Sequence, residues 1–169
     1  MLPFVRMLEY GNVAPGPKNI IKVGASTQGQ YVLTDTNELY YIGRNQGGES
    51  GNNNTNTVSS WTLVSTGVTN FFAGDRTVVV IKSDNTIWTT GETYWFSSST
   101  GTSYSTVLVD RTAWFTSVLS VNEIADIVCS YGLIFVLSTS SVLYGAGANG
   151  YRGALGIGLT DHIYMLENS

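Results

Sequence analysis

Chemistry needs nucleophiles, bases or metal ligands at workable spacing, and this 169-residue chain is sparing with them. It has one cysteine, Cys129, and one histidine, His162. A lone cysteine forms neither an intrachain disulfide nor a thiolate metal cluster. Cys129 lies in the apolar run IADIVCS, where a free thiol is ordinarily a buried structural group. His162 stands near the C-terminus without a matched carboxylate or nucleophile, the partners that a triad or zinc site requires. Carboxylates are more numerous. Glycoside hydrolysis needs two of them about 5 to 9.5 Å apart across a cleft. Asp35, Glu38, Asp75, Asp84 and Glu92 fall mostly in turn-like stretches, where such side chains are solvated or shape the turn. No pair stands out. We expect no catalytic residue, no metal and no cofactor.

The elements that position these residues repeat. Ala73 to Gly91 reads AGDRTVVVIKSDNTIWTTG. Val78 to Lys82 is rich in β-branched residues, Ser83-Asp84-Asn85 is a turn cluster, and Thr86 to Thr90 is a second strand closed by Gly91. Tyr31 to Gly43 (YVLTDTNELYYIG) and Phe135 to Gly147 (FVLSTSSVLYGAG) have the same design. In each, the closing glycine (Gly43, Gly91, Gly147) follows the turn residue (Asn37, Asn85, Ser141) by six positions. The closing glycines are 48 and then 56 residues apart. A period near 50 (four short strands per unit) is the size of a β-propeller blade. No amphipathic segment of helical period reaches three turns, so the expected class is all-β, with about three propeller-type blades.

Residues 1–19 form an N-terminal segment and linker, and 20–169 a repeat domain with units at about 20–66, 67–123 and 124–169. Phe4, Val5, Met7, Leu8 and Tyr10 make the first segment apolar, and Pro15 and Pro17 uncouple it from the first repeat. It reads either as an anchor that docks on a partner or as an extra edge strand. The segment after Gly43, GRNQGGESGNNNTNTVSS, is a polar loop. The insertion from Glu92 to Glu123 carries Tyr94, Trp95, Phe96 and Tyr104. These aromatics either form an exposed binding loop or cap the core beneath it.

Apolar residues make up 43% and charged residues only 12%. The charged share is about half the usual roughly 25%, so solubility rests on Ser, Thr, Asn and Gly. This suits a particle-bound or extracellular β protein. The net charge is −4, and the eight bases are scattered singly. Nucleic-acid binding needs a concentrated positive face, so it is not expected. MLPFVRMLEYGN is too broken by Arg6 and Glu9 for a signal peptide, and no stretch approaches a membrane span.

These residues carry a resemblance. AGDRTVVVIKSDNTIWTTG resembles the core of the regulator-of-chromosome-condensation repeat. Gly43, Asn45, Gly48 and Gly51 match its trailing glycine-asparagine pattern, and Gly147, Asn149, Gly153, Leu155, Gly156 and Gly158 match it with one residue inserted. The resemblance covers residues 20 to 166 and implies a propeller. Arg76 stands where that family has histidine, and the other two repeats lack histidine there too. The family's ring usually has seven blades. Three would close with blades from a second copy, or stay open with edges covered by a neighbour or by Phe4–Leu8. The family's nucleotide-exchange activity does not carry over, because it needs a full ring.

The N-terminal MLPFVRMLEYGN resembles segments that begin tailed-bacteriophage virion proteins. That implies a decoration or tail-associated protein located in the virion. It would be docked through residues 4–10 on other virion proteins or a second copy, and could contact a host surface molecule. The competing expectations are an intracellular protein-interaction scaffold and a propeller hydrolase.

Overall fold

The computed structural model describes residues 19–93, 104–130 and 132–147, together with the backbone of 163–168. Their fold is all-β. The first sheet contains β1 (Ile20–Ala25), β2 (Gly29–Thr34), β3 (Glu38–Gly43) and β4 (Val58–Thr66). The second contains β5 (Val68–Gly74), β6 (Thr77–Lys82), β7 (Ile87–Glu92) and β8 (Tyr104–Asp110). The third contains β9 (Ile124–Ser130), β10 (Leu133–Ser138), β11 (Leu143–Gly147) and β12 (Ile163–Asn168). Each sheet is an antiparallel meander in chain order. A four-residue helix, α1 (Thr112–Phe115), and a 3-10 turn (Val121–Glu123) lead from the second sheet to the third.

The three hairpins are one device made three times. Asn37, Asn85 and Ser141 hold φ of 60°, 60° and 66°. Their amides donate to the carbonyls of Thr34, Lys82 and Ser138, each at 3.0 Å. Asn tolerates this left-handed conformation because its short polar side chain bonds locally. Gly43, Gly91 and Gly147 hold φ of +136°, +95° and +124°. A β-carbon on any of them would collide with the carbonyl oxygen of Gln28, Arg76 or Gly132, respectively. Only glycine brings the two strands this close. The first strand of each sheet also carries a register shift at an equivalent place, around Ile21, Thr69 and Ala125. β7 starts at Ile87 rather than Thr86 because Asp84 Oδ1 accepts bonds from the Thr86 amide (3.1 Å) and hydroxyl (2.6 Å).

The sheets stack face to face, so the middle one is buried on both sides. β6 alternates between two cores. Val78 and Val80 join Tyr31, Leu33, Leu39 and Phe71 between the first and second sheets. Val79 and Ile81 join Ile127, Ile134 and Val136 between the second and third. This is why TVVVIK is apolar almost throughout rather than at alternate positions. Each such side chain contributes about 1.5–3 kcal/mol when fully buried. A charge at Val79 would break the second core. We call the side of a sheet turned toward the next one in the chain its forward face, and the other its backward face.

The segment after Gly43 is a loop, as its composition predicts, but much of it is buried. Asn45, Glu49 and Ser50 are almost wholly enclosed. The hydroxyl of Tyr31 donates to the Glu49 carbonyl at 2.8 Å, and that of Tyr41 donates to the Arg44 carbonyl. Asn45 braces the loop from inside: its Oδ1 accepts from the Ser50 amide and its Nδ2 donates to the Asn54 carbonyl, both at 2.8 Å. Such a residue is scaffold, and its polar groups are satisfied locally.

Candidate binding surface

The five carboxylates that could have been catalysts are each engaged in holding the fold. Asp35 accepts from the Asn19 side chain at 2.8 Å, Glu38 from Thr36 at 3.0 Å and from Tyr40 at 3.2 Å, and Asp84 from Thr86. Asp75 accepts the Thr27 hydroxyl, and the Thr27 amide donates to the Asp75 carbonyl at 2.6 Å. Glu92 pairs with Arg76 at 2.8 Å. Hydrogen bonds from Thr86 hold the exposed Asp84 carboxyl below its ordinary range, and those from Thr112 do the same for Asp110. Among the described residues no three His, Cys, Asp or Glu side chains gather as a metal site would require. No described helix is long and apolar enough to cross a membrane.

Polar pairs repeat along one rim with their roles exchanged. In the first sheet Arg44 Nη1 donates to Gln28 Oε1 at 2.5 Å. In the second, Arg76 Nη1 donates to Glu92 Oε1 at 2.8 Å. Arg76 follows Gln28 by 48 positions, and Glu92 follows Arg44 by the same 48. The backbone bonds beneath also match: the Arg44 amide donates to the Gln28 carbonyl at 3.0 Å and the Glu92 amide to the Arg76 carbonyl at 2.9 Å. Arg76 at the histidine position of the resembled family is therefore half of an ion pair. Beside it, burial pushes the Glu49 carboxyl above its ordinary value, although the Gly47 amide donates to it at 2.8 Å.

Phe4, Val5, Met7, Leu8 and Tyr10 lie outside the described residues, as do Tyr94, Trp95, Phe96 and His162. Tyr104 is described: it is exposed, opens β8 and sits opposite Glu92. Cys129 is buried on β9, and burial pushes its thiol up to about 12. Open hollows mark the described surface, among them one at Val23, Ala25, Gln30 and Val32 on β1 and β2 and two others. One surrounds α1 and is lined by Asp110, Arg111, Thr112 and Trp114. The other is lined by Asn52, Asn54, Asn56, Ser60 and Thr62. Sequence reasoning singled out neither hollow. The asparagine run was its only visible sign, and that run equally describes a plain loop. The hollow at α1 carries an aromatic residue and an arginine, Trp114 and Arg111, the types enriched at protein interfaces.

No protein-family model and no curated protein sequence matches the chain. Solved structures do. The chain is similar to yeast RCC1 (Prp20) in its complex with Kap60, at TM-score 0.66 and 13% identity, over 88% of this chain and 36% of that one. It matches Saccharomyces cerevisiae Prp20p, in a structure described with its binding to Gsp1p and histones, at TM-score 0.66 and 12% identity, over 88% and 38%. It matches human WBSCR16 at TM-score 0.56 and 16% identity, over 92% and 54%. The chain thus spans between about a third and about half of the length of these structures. At such identities the likeness concerns the fold alone: the three sheets are blades of the kind found in RCC1-like β-propellers.

Proposed function

We propose that this chain is a non-enzymatic, protein-binding propeller scaffold. One observation carries the reading: the carboxylates that could do chemistry are engaged in hydrogen bonds and an ion pair that hold the blades together internally, with Asp75 bonding to Thr27 of the neighbouring blade, and those blades are like those of a fold whose yeast example is described with protein partners. The open hollows at Trp114 and at Asn54 are the surfaces offered to a partner. The test is a binding assay with purified candidates recovered by cross-linking to the full chain. It is repeated with Trp114→Ala and with Asn54→Arg. Binding weakened at least tenfold by either variant, with an unchanged unfolding midpoint, supports the reading. A catalytic turnover that is abolished by Glu49→Gln or Glu92→Gln overturns it.

A finer reading makes the partner another virion protein, docked on Phe4, Val5, Met7, Leu8 and Tyr10. It is supported by sequence alone: an apolar segment ending in Tyr10-Gly11-Asn12, then Pro15 and Pro17. Burying four such side chains contributes roughly 6–12 kcal/mol before association costs. Deleting residues 1–14 should leave the blades folded and abolish incorporation into the particle. A truncated chain that still assembles contradicts this docking.

A further inference from the structure

The backward faces of the three sheets carry one equivalent row. It is Phe71, Val80 and Trp88 on the second sheet and Ile127, Val136 and Tyr144 on the third. There a neighbouring sheet covers the row, and its first-strand member, Phe71 or Ile127, is buried. On the first sheet the row is Val23, Val32 and Tyr40, continued by Leu63. Its exposure is different. Val32 and Tyr40 in the middle are only 8% and 7% exposed, while Val23 on one side is 70% exposed and Leu63 on the other 45%. Val32 and Tyr40 belong to neither of the two cores. The residues of β2 and β3 that do, Tyr31, Leu33, Leu39 and Tyr41, lie on the opposite side of the sheet. The hollow beside Val32, lined by Val23, Ala25 and Gln30, marks the margin of the covered strip.

The width of the cover follows from this pattern. A blade that packs on a backward face encloses the first-strand residue, as it does at Phe71 and Ile127. The cover over the first sheet leaves Val23 of β1 in solvent, so it is narrower than a blade. It spans β2 and β3, strands about 4.8 Å apart, which is the width of one extended stretch of chain. Such a stretch must be apolar to bury against a valine and a tyrosine ring. Of the stretches outside the described residues, 94–103 joins strands of the second sheet and 148–162 joins strands of the third, while 1–18 leads directly into β1. Its apolar part is Phe4, Val5, Met7, Leu8 and Tyr10. Residues 11–19 reach at most about 30 Å when extended, and β3 lies about 10 Å from β1. Charge agrees. Glu38 stands two residues before Tyr40 on the same face of β3 and accepts the Tyr40 hydroxyl at 3.2 Å, and Arg6 is the only charged residue between Pro3 and Leu8.

We propose that Phe4–Tyr10 of the same chain is this cover, laid across β2 and β3 on Val32 and Tyr40 with Arg6 toward Glu38. The seat lies within one chain and needs no partner. It also bears on docking, because the same apolar side chains cannot lie on Val32 and on another protein together. A partner that takes this segment must displace it from the first sheet. Its apparent affinity is then reduced by the fraction of chains in which the segment is released. The seat holds a sticky segment in reserve until that partner is met.

The experiment follows the reactivity of a cysteine placed in the strip, in a chain whose own thiol is removed by Cys129→Ala. Val32→Cys is labelled with a disulfide reagent at neutral pH in the full chain and in a chain lacking residues 1–14. Labelling should be at least tenfold faster in the truncated chain, and a synthetic peptide of residues 1–14 should slow it again. Val136→Cys, at the fully buried equivalent in the third sheet, reports on the fold and should stay protected in both. Equal labelling of Val32→Cys in the two chains overturns the proposal. So does protection in the full chain that disappears on dilution, since the cover is then a second copy. If truncation exposes Val136→Cys as well, Met7→Cys with Val23→Cys in the full chain decides. A disulfide within one chain supports the seat, and its absence, or a disulfide formed between chains, overturns it. Incorporation into a particle is a separate readout, so failure of docking and failure of the seat are told apart.

Discussion

The carbonyl oxygen of Arg76 lies against the α-carbon of Gly91, with no space for a side chain between them. Gly91 also holds φ at +95°. Gly91→Ala combines a backbone collision with an unfavourable dihedral, and we expect it to cost at least about 3 kcal/mol. Urea denaturation measures the loss. Gly43→Ala and Gly147→Ala should behave alike, because each meets an equivalent carbonyl.

Ser141 is the one member of the turn series that is not asparagine, and it holds φ of 66°. Ser141→Asn or Ser141→Gly should stabilise the protein by about 0.5–1 kcal/mol, since both residues enter the left-handed region more readily. An unchanged or lower midpoint in thermal unfolding would contradict the turn assignment.

These turns were also the most legible part of the chain. A positive φ favours Asn and Gly, with Ser141 the exception in this series, and a close strand crossing permits only Gly, so the pattern is visible without an alignment. The run IADIVCS is β9, bounded as the sequence suggests. The faces were less legible. TVVVIK is apolar throughout because it is covered on both sides, so it does not show which valine meets which sheet. The contacts between blades were not visible at all. Lys22 and Asn70 are 48 residues apart and chemically unlike; within blades, too, the Gln28–Arg44 and Arg76–Glu92 pairs exchange donor and acceptor. Repetition of geometry without repetition of residue type leaves no motif. The buried loop at Asn45 to Ser50 was hidden for a related reason: polar composition marks a loop, while the tyrosine hydroxyls that hold it inward come from β2 and β3.

Glu49 gives a pH dependence with a defined sign. Burial is the main cause of its raised carboxyl value, with the Glu92 charge adding and Arg76 opposing. A carboxyl raised in the folded state contributes stability below its ordinary value of 4.5. That contribution is lost as pH rises through the higher folded value. Glu49→Gln should therefore melt higher than wild type at neutral pH, and the gap should close below the ordinary value. A variant that melts lower at neutral pH would show that the carboxylate is held there as an ion.

Cys129 reports on the packing of the third sheet against the second. Its backbone carbonyl touches the α-carbon region of Gly74, and its thiol is pushed up to about 12 by burial. Only the thiolate reacts quickly. In the folded protein at mildly alkaline pH, a disulfide reagent should label Cys129 no faster than the protein opens. Prompt labelling of the folded chain would contradict this packing.

The middle blade is covered on both faces, and amide hydrogen exchange on the full chain tests this most directly. Val78 to Ile81 of β6 face two cores at once. Their amides should be the slowest in the protein, exchanging only by global unfolding with the free energy found in denaturant, while Ile21 and Val23 of β1 exchange far sooner. If β6 exchanges as fast as β1, the sheets do not stack as blades, and the propeller reading fails.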